Sequence, residues 1–118
     1  MLRSHLPSSI MEMNDAATVH AAYDAVRTLM KVAGAYTATP LLNRGEGEAA
    51  GDYLCGILHF LQREAECLAD RAAELEVTGK KEAGFKARVA LAYELDYPGA
   101  DDGAAIGRAA TALAAILA

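Results

Sequence analysis

The apolar positions of this chain fall on helical stripes. From Val19 they run Val19, Tyr23, Val26, Met30 and Ala33, spaced four, three, four and three, which gathers them along one side of a helix that turns every 3.6 residues. This predicts a first helix to about Tyr36. Ahead of it, Ser9 and Glu12 have the spacing of a capping box, and Asn14-Asp15 offers a second start. Pro40 disfavours helical geometry at Thr39, so residues 37–47 read as a connection, with Asn43-Arg44-Gly45 as its turn.

The second helix carries the strongest pattern. Leu54, Leu61, Leu68 and Leu75 recur every seven residues, and Leu58, Ala65 and Ala72 fill the intervals in an unbroken four-three spacing, the signature of a coiled-coil-like seam. Such a seam reads first as bundle core and second as a dimer interface. Tyr53, Ile57 and Phe60 widen the apolar arc of the amino-terminal half, which is therefore expected to be covered from two sides. Glu64, Glu66, Asp70, Glu74 and Glu76, with Arg63 and Arg71, predict a solvated carboxy-terminal half. Thr78-Gly79 is the expected end, with Gly79 in a left-handed cap.

A third helix is predicted over about Lys80 to Leu95, with Phe85, Val89 and Ala92 on one stripe, Leu91 and Leu95 flanking it, and Asp96-Tyr97-Pro98-Gly99 stopping it. Asp101 or Asp102 can cap a fourth segment, in which Ile106, Ala110, Leu113 and Leu117 repeat the spacing and Arg108 is the only charge. A helix apolar on nearly every side is expected either to fill the bundle or to dock on a second copy. No stretch alternates with period two. The expected class is all-α, a small three- or four-helix bundle built around one long central helix of about residues 46–78. The chain, residues 1–118, reads as a single helical domain with 1–8 flexible.

Composition narrows the function classes. The hydrophobic share of 53% is rich in alanine and poor in aromatics, which suits close helix packing. A net charge of -5, with Lys80-Lys81 the only adjacent basic pair, argues against nucleic acid as a partner. Cys55 and Cys67 lie twelve positions apart on one predicted helix, about 18 Å at 1.5 Å per residue. A disulfide needs Cα atoms within about 4.4 to 6.8 Å, so two free thiols and a cytoplasmic location are expected. Met1 to Ile10 has no signal-peptide core, and Ala109 to Ala118 is about half the ~20 residues of a membrane span.

The candidate chemistry is thin. Gly47-x-x-x-Gly51 and Gly103-x-x-x-Gly107 put small residues on one helical face, allowing close backbone approach or marking helix starts. His20 and Asp24 are one turn apart and can pair on an exposed face. No His follows a Glu by three and no two His are four apart, so neither a di-iron nor a zinc-protease helix is present. Gly79-Lys80-Lys81 lacks the remainder of a phosphate loop, and serine occurs only at Ser4, Ser8 and Ser9. Neither cysteine has redox or zinc spacing. No cofactor or metal is expected.

Glu48-Ala-Ala-Gly-Asp52-Tyr-Leu-Cys-Gly-Ile-Leu resembles the second acidic helix of all-α nucleotide pyrophosphohydrolases of the MazG type. The resemblance implies magnesium held by Glu48 and Asp52, one turn apart. The chain departs from that pattern in two places: the preceding helix has only Asp24 where the family has Glu-x-x-Glu, and Ala49 follows Glu48. The same acids also complement the positive end of a helix. His59, with Leu61 and Gln62-Arg63, resembles a histidine phosphotransfer helix, implying an exposed phosphoryl-accepting imidazole. Gln62 and Arg63 stand where that family carries Lys and Gly, and a surface His interacting with Arg63 or Glu66 is the other reading. The expected function is non-enzymatic: a self-associating adaptor, inhibitor or structural subunit that binds a protein partner, with homodimerisation through Leu54, Leu58, Leu61, Leu68 and Leu75 or through Ile106, Leu113 and Leu117.

Overall fold

The computed structural model describes residues 8–36, 49–97 and 103–117. All the regular structure there is helical: α1 (Ser8–Met11), α2 (Ala16–Ala35), α3 (Ala49–Glu74), α4 (Lys80–Asp96) and α5 (Ala104–Leu117). It is an all-α bundle of four substantial helices, of which α3 is the longest. The expectations of a flexible 1–8 stretch, a turn at Asn43–Gly45, a small-residue face at Gly47 and a cap at Asp101 or Asp102 fall outside the described residues, Ser8 excepted. Ser9 lies within α1 instead of capping it.

Asp15 starts α2. Its backbone is extended and its carboxylate accepts from the Thr18 N–H at 2.8 Å, satisfying one of the donors that a helix start leaves open. From there Ala16, Val19 and Tyr23 are buried against Ala65, Leu68 and Ala72 of α3 and Leu75 just past its end, with Val89 of α4 completing the core. Val19 and Val89 are fully enclosed, each worth about 1.5–3 kcal/mol of burial. Arg71 of α3 reaches Met13 just ahead of α2, so the end of α3 meets the start of α2 and the two run antiparallel. Ala16 meets Glu82 while Arg27 meets Asp96, so α2 and α4 run in the same direction. Ile116 lies over Gly84 and Ala105 lines a groove with Tyr93, so α5 runs back along α4.

The fold is therefore layered. The α2–α3 pair carries α4 on one side, and α5 lies against α4.

Several expectations are corrected. The carboxy-terminal end of α3 is at Glu74, short of Thr78. The Leu75 N–H is shared between the Arg71 and Ala72 carbonyls, which tightens the final turn, and the Leu75 carbonyl is then taken by the Lys86 ammonium at 2.6 Å. Gly79 has φ +85° and ψ 154°, an extended conformation at the start of α4 and not a left-handed cap on α3. Arg71 is buried, 9% exposed, and not part of a solvated face. His20 faces the Phe85 ring of α4 at 5.2 Å instead of pairing with Asp24, because the α2–α4 crossing turns it inward. The amino-terminal half of α3 is not covered from two sides: Tyr53 is 74% and Phe60 59% exposed. The α5 helix does not fill the bundle. None of its residues is buried, since it touches the rest chiefly through one face on α4.

Candidate interaction surface

The two ends of the α2–α3 pair differ in chemistry. At the end where α2 begins, long polar side chains close the helix termini. Glu82 accepts from the Ala16 N–H at 2.7 Å and Lys86 donates to Leu75 O. The Arg71 guanidinium donates through Nε to Met13 O at 2.9 Å, through Nη2 to Met11 O at 3.1 Å and Asn14 Oδ1 at 3.0 Å, and through Nη1 to Glu74 at 3.3 Å. The planar fork of arginine suits this multiple docking. It ties residues 11–14 across α3, with Ile10 buried in the core beside them.

Midway along α2, Tyr23 Oη donates to Asp96 at 3.1 Å and Arg27 Nε pairs with the same carboxylate at 3.0 Å. Burial, and then the Asp96 charge, hold the Tyr23 hydroxyl far above its ordinary range. Beyond this point α2 and α3 continue with their apolar side chains prominent. Helical spacing puts Leu29, Val32 and Tyr36 on the side of α2 opposite Arg27, and Tyr53 and Phe60 on the side of α3 opposite Ala69 and Ala73. Arg27 meets α4, and the two alanines line a groove with α4 and α5. All five apolar side chains therefore look away from α4, and all five are more than half exposed.

The sequence-predicted residues separate accordingly. Leu68 and Leu75 are buried, whereas Leu54, Leu58 and Leu61 are half-buried; Ile106 and Leu113 are half-buried on α5 and Leu117 is exposed. His59, Arg63 and Glu66 are exposed and line one open depression on α3 with Gly56, Phe60 and Gln62. Asp52 stands exposed in the first turn of α3, and Glu48 lies outside the described residues. Among the described residues no group of three or more His, Cys, Asp or Glu side chains could hold a metal ion, and no helix is long and apolar enough to cross a membrane.

A second groove runs between α3, α4 and α5, over Ala69, Ala73, Ala90, Ala105 and Ala109, with Asp70, Tyr93, Glu94 and Arg108 at its edges. Burial, then the neighbouring Glu66 and Glu74 charges, push the Asp70 carboxyl up. Tyr93 is raised by burial and by the Glu66 and Asp70 charges. The half-buried Cys67 thiol is likewise raised, by burial and then Glu64, which disfavours the thiolate that nucleophilic chemistry needs. Cys55 and Cys67 are both free.

Arg71, Glu82, Lys86 and Asp96 organise the fold, yet sequence reading does not single them out. Apart from Glu74, three positions from Arg71, their partners lie 11 to 73 positions away, several of them backbone groups that carry no residue signature. The exposed apolar side is legible as an excess of apolar residues, though not as exposed. No protein-family model, characterised protein or solved structure matches the chain.

Proposed function

We propose that this chain is a non-enzymatic helical interaction module, an adaptor, inhibitor or small structural subunit that works in the cytoplasm as one domain and self-associates. The observation that carries this reading is the bare apolar side of the α2–α3 pair, where Leu29, Val32, Tyr36, Tyr53 and Phe60 stand in water. Apolar surface gathered on one side of a small domain marks a place where another macromolecule excludes solvent. Two features argue in the same direction: a raised Cys67 thiol, which is a poor nucleophile, and an acidic balance of -5, which disfavours nucleic acid.

The test is a photo-crosslinking aromatic residue, benzoylphenylalanine, introduced in place of the exposed Tyr53 in the native cell, with adducts resolved by mass. Discrete protein adducts that vanish on Phe60→Asp are expected. Magnesium-dependent pyrophosphate release from nucleoside triphosphates, lost on Glu48→Ala, would replace the reading with an enzyme. Phosphoryl transfer from a receiver domain to His59 would replace it with a relay module.

A further inference from the structure

Resting on the interaction reading above, we infer that the occupant of the bare α2–α3 side is a second copy of this chain, docked by a two-fold axis so that the two helix pairs form a four-helix layer with both α4 helices outside. Three observations commit to that occupant. The first is area. Taking roughly 150–250 Å² for a whole aromatic side chain, the exposed parts of Tyr36, Tyr53, Phe60, Leu29 and Val32 present on the order of 500 Å² of apolar surface. A specific interface takes about 800 Å² per partner, so these five supply most of it and a polar rim the remainder.

The second is charge. Between Leu29 and Tyr36 the only charge is Lys31, and between Ala49 and Phe60 it is Asp52. The carboxylates Glu64, Glu66, Asp70, Glu74 and Glu76 lie farther along α3. A basic partner would be drawn to that acidic stretch, whereas the near-neutral apolar side is the part of an acidic molecule that can meet its own copy without like-charge contact. The third is continuity. Tyr53, Ile57, Phe60, Glu64, Cys67 and Arg71 follow one four-three stripe along α3. At its Arg71 end the chain's own residues 11–14 already cover it, so the stripe is closed by the chain itself at one end and stands open at the other, where Tyr53 and Phe60 are exposed.

Sedimentation equilibrium of the full chain over a wide concentration range tests this. A reversible monomer–dimer equilibrium is expected, tightening as salt screens the two acidic molecules. Phe60→Asp and Val32→Asp should each raise the dissociation constant at least about thirtyfold, while Leu117→Asp on α5 leaves it unchanged. Both tested side chains are already exposed, and circular dichroism melting of each variant checks that it folds. A one-chain mass at every concentration overturns the second copy as occupant. If Phe60-dependent crosslinking to another protein persists in that case, the interaction reading survives without its self-association; if it too is absent, both fall. A dimer broken by Leu117→Asp and indifferent to Phe60→Asp overturns this surface.

Discussion

Arg71 illustrates how much one side chain can organise. Its guanidinium satisfies two backbone carbonyls and the Asn14 side chain while nearly sealed from water, so its removal takes the donors from part-buried acceptors and unties the 11–14 segment. Arg71→Met, which keeps the stem, should cost about 2–4 kcal/mol. Arg71→Lys should recover little of this, since an ammonium cannot span the same fork. Urea unfolding of both variants decides: a loss in Arg71→Met below that of an ordinary surface substitution would show that the 11–14 segment does not depend on it. Tyr23 makes a second residue-scale argument, through pH. Its hydroxyl donates to Asp96, and ionisation would set two anions side by side in the core, so its folded value lies above the unfolded one. A group raised in this way contributes stability that is fully present below the unfolded value, about 10 for a tyrosine. That stability is lost as pH rises beyond it, because only the unfolded chain gives up the proton readily. Tyr93 and Tyr97 are raised as well and add in the same direction. The thermal midpoint should therefore fall above about pH 10, and Tyr23→Phe should flatten part of the fall. An unchanged slope would remove Tyr23 from the explanation.

At the scale of elements, two glycines give opposite tests. Gly56 sits exposed inside α3, and a Cβ built there meets nothing within 4 Å. Gly56→Ala should then gain about 1 kcal/mol from helix propensity alone, raising the thermal midpoint by roughly 3–6 °C for a domain of this size. Gly79 has equal room but φ +85° with an extended ψ, a region nearly closed to side chains, so Gly79→Ala should lose about 1–3 kcal/mol. Matching shifts in the two variants would mean that the α3–α4 junction relaxes freely. This contrast also locates what the sequence could reveal. The four long helices are legible because their apolar positions recur every three and four residues, and that spacing survives in any environment. The end of α3 is not, because Lys86, eleven positions on, closes the Leu75 carbonyl. Likewise Arg71 reads as a solvated charge until residues 11–14 are laid over it. Tyr53 and Phe60 read as core because periodicity reports which side of a helix is apolar and is silent on whether a neighbour lies there. The proposed docking side is legible in the same partial way: its residues stand out, and their exposure follows only from which side of α2 and α3 the α4 helix takes.

Across the whole molecule, fastening is unequal. The α2 start, α3 end and α4 start are tied by Glu82, Lys86 and Arg71 around a core that includes the fully enclosed Val19 and Val89. Outside it, α5 lies on α4 with no buried residue, and α2 continues past Met30 through the exposed Val32 and Tyr36. Local opening is governed by how much apolar contact is lost when one piece lifts away. Detaching α5 forfeits partial burial of Ile106, Leu113 and Ile116 on one face, whereas detaching α4 unseals Val89 and breaks the Asp96 and Glu82 contacts with α2. Native-state hydrogen exchange should therefore rank the helices. Amides of α5 exchange first, through an opening that leaves α2, α3 and α4 intact, and those around Val19, Leu68 and Val89 exchange last, at the free energy of global unfolding. Association through the α2–α3 side adds a condition: raising protein concentration should slow exchange in the last turns of α2 and the first half of α3 while leaving α5 unaffected, because mass action protects only what the interface covers. Concentration-dependent protection confined to α5 would place the contact on the tail, and α5 amides as slow as those of Val89 would show that the tail belongs to the core.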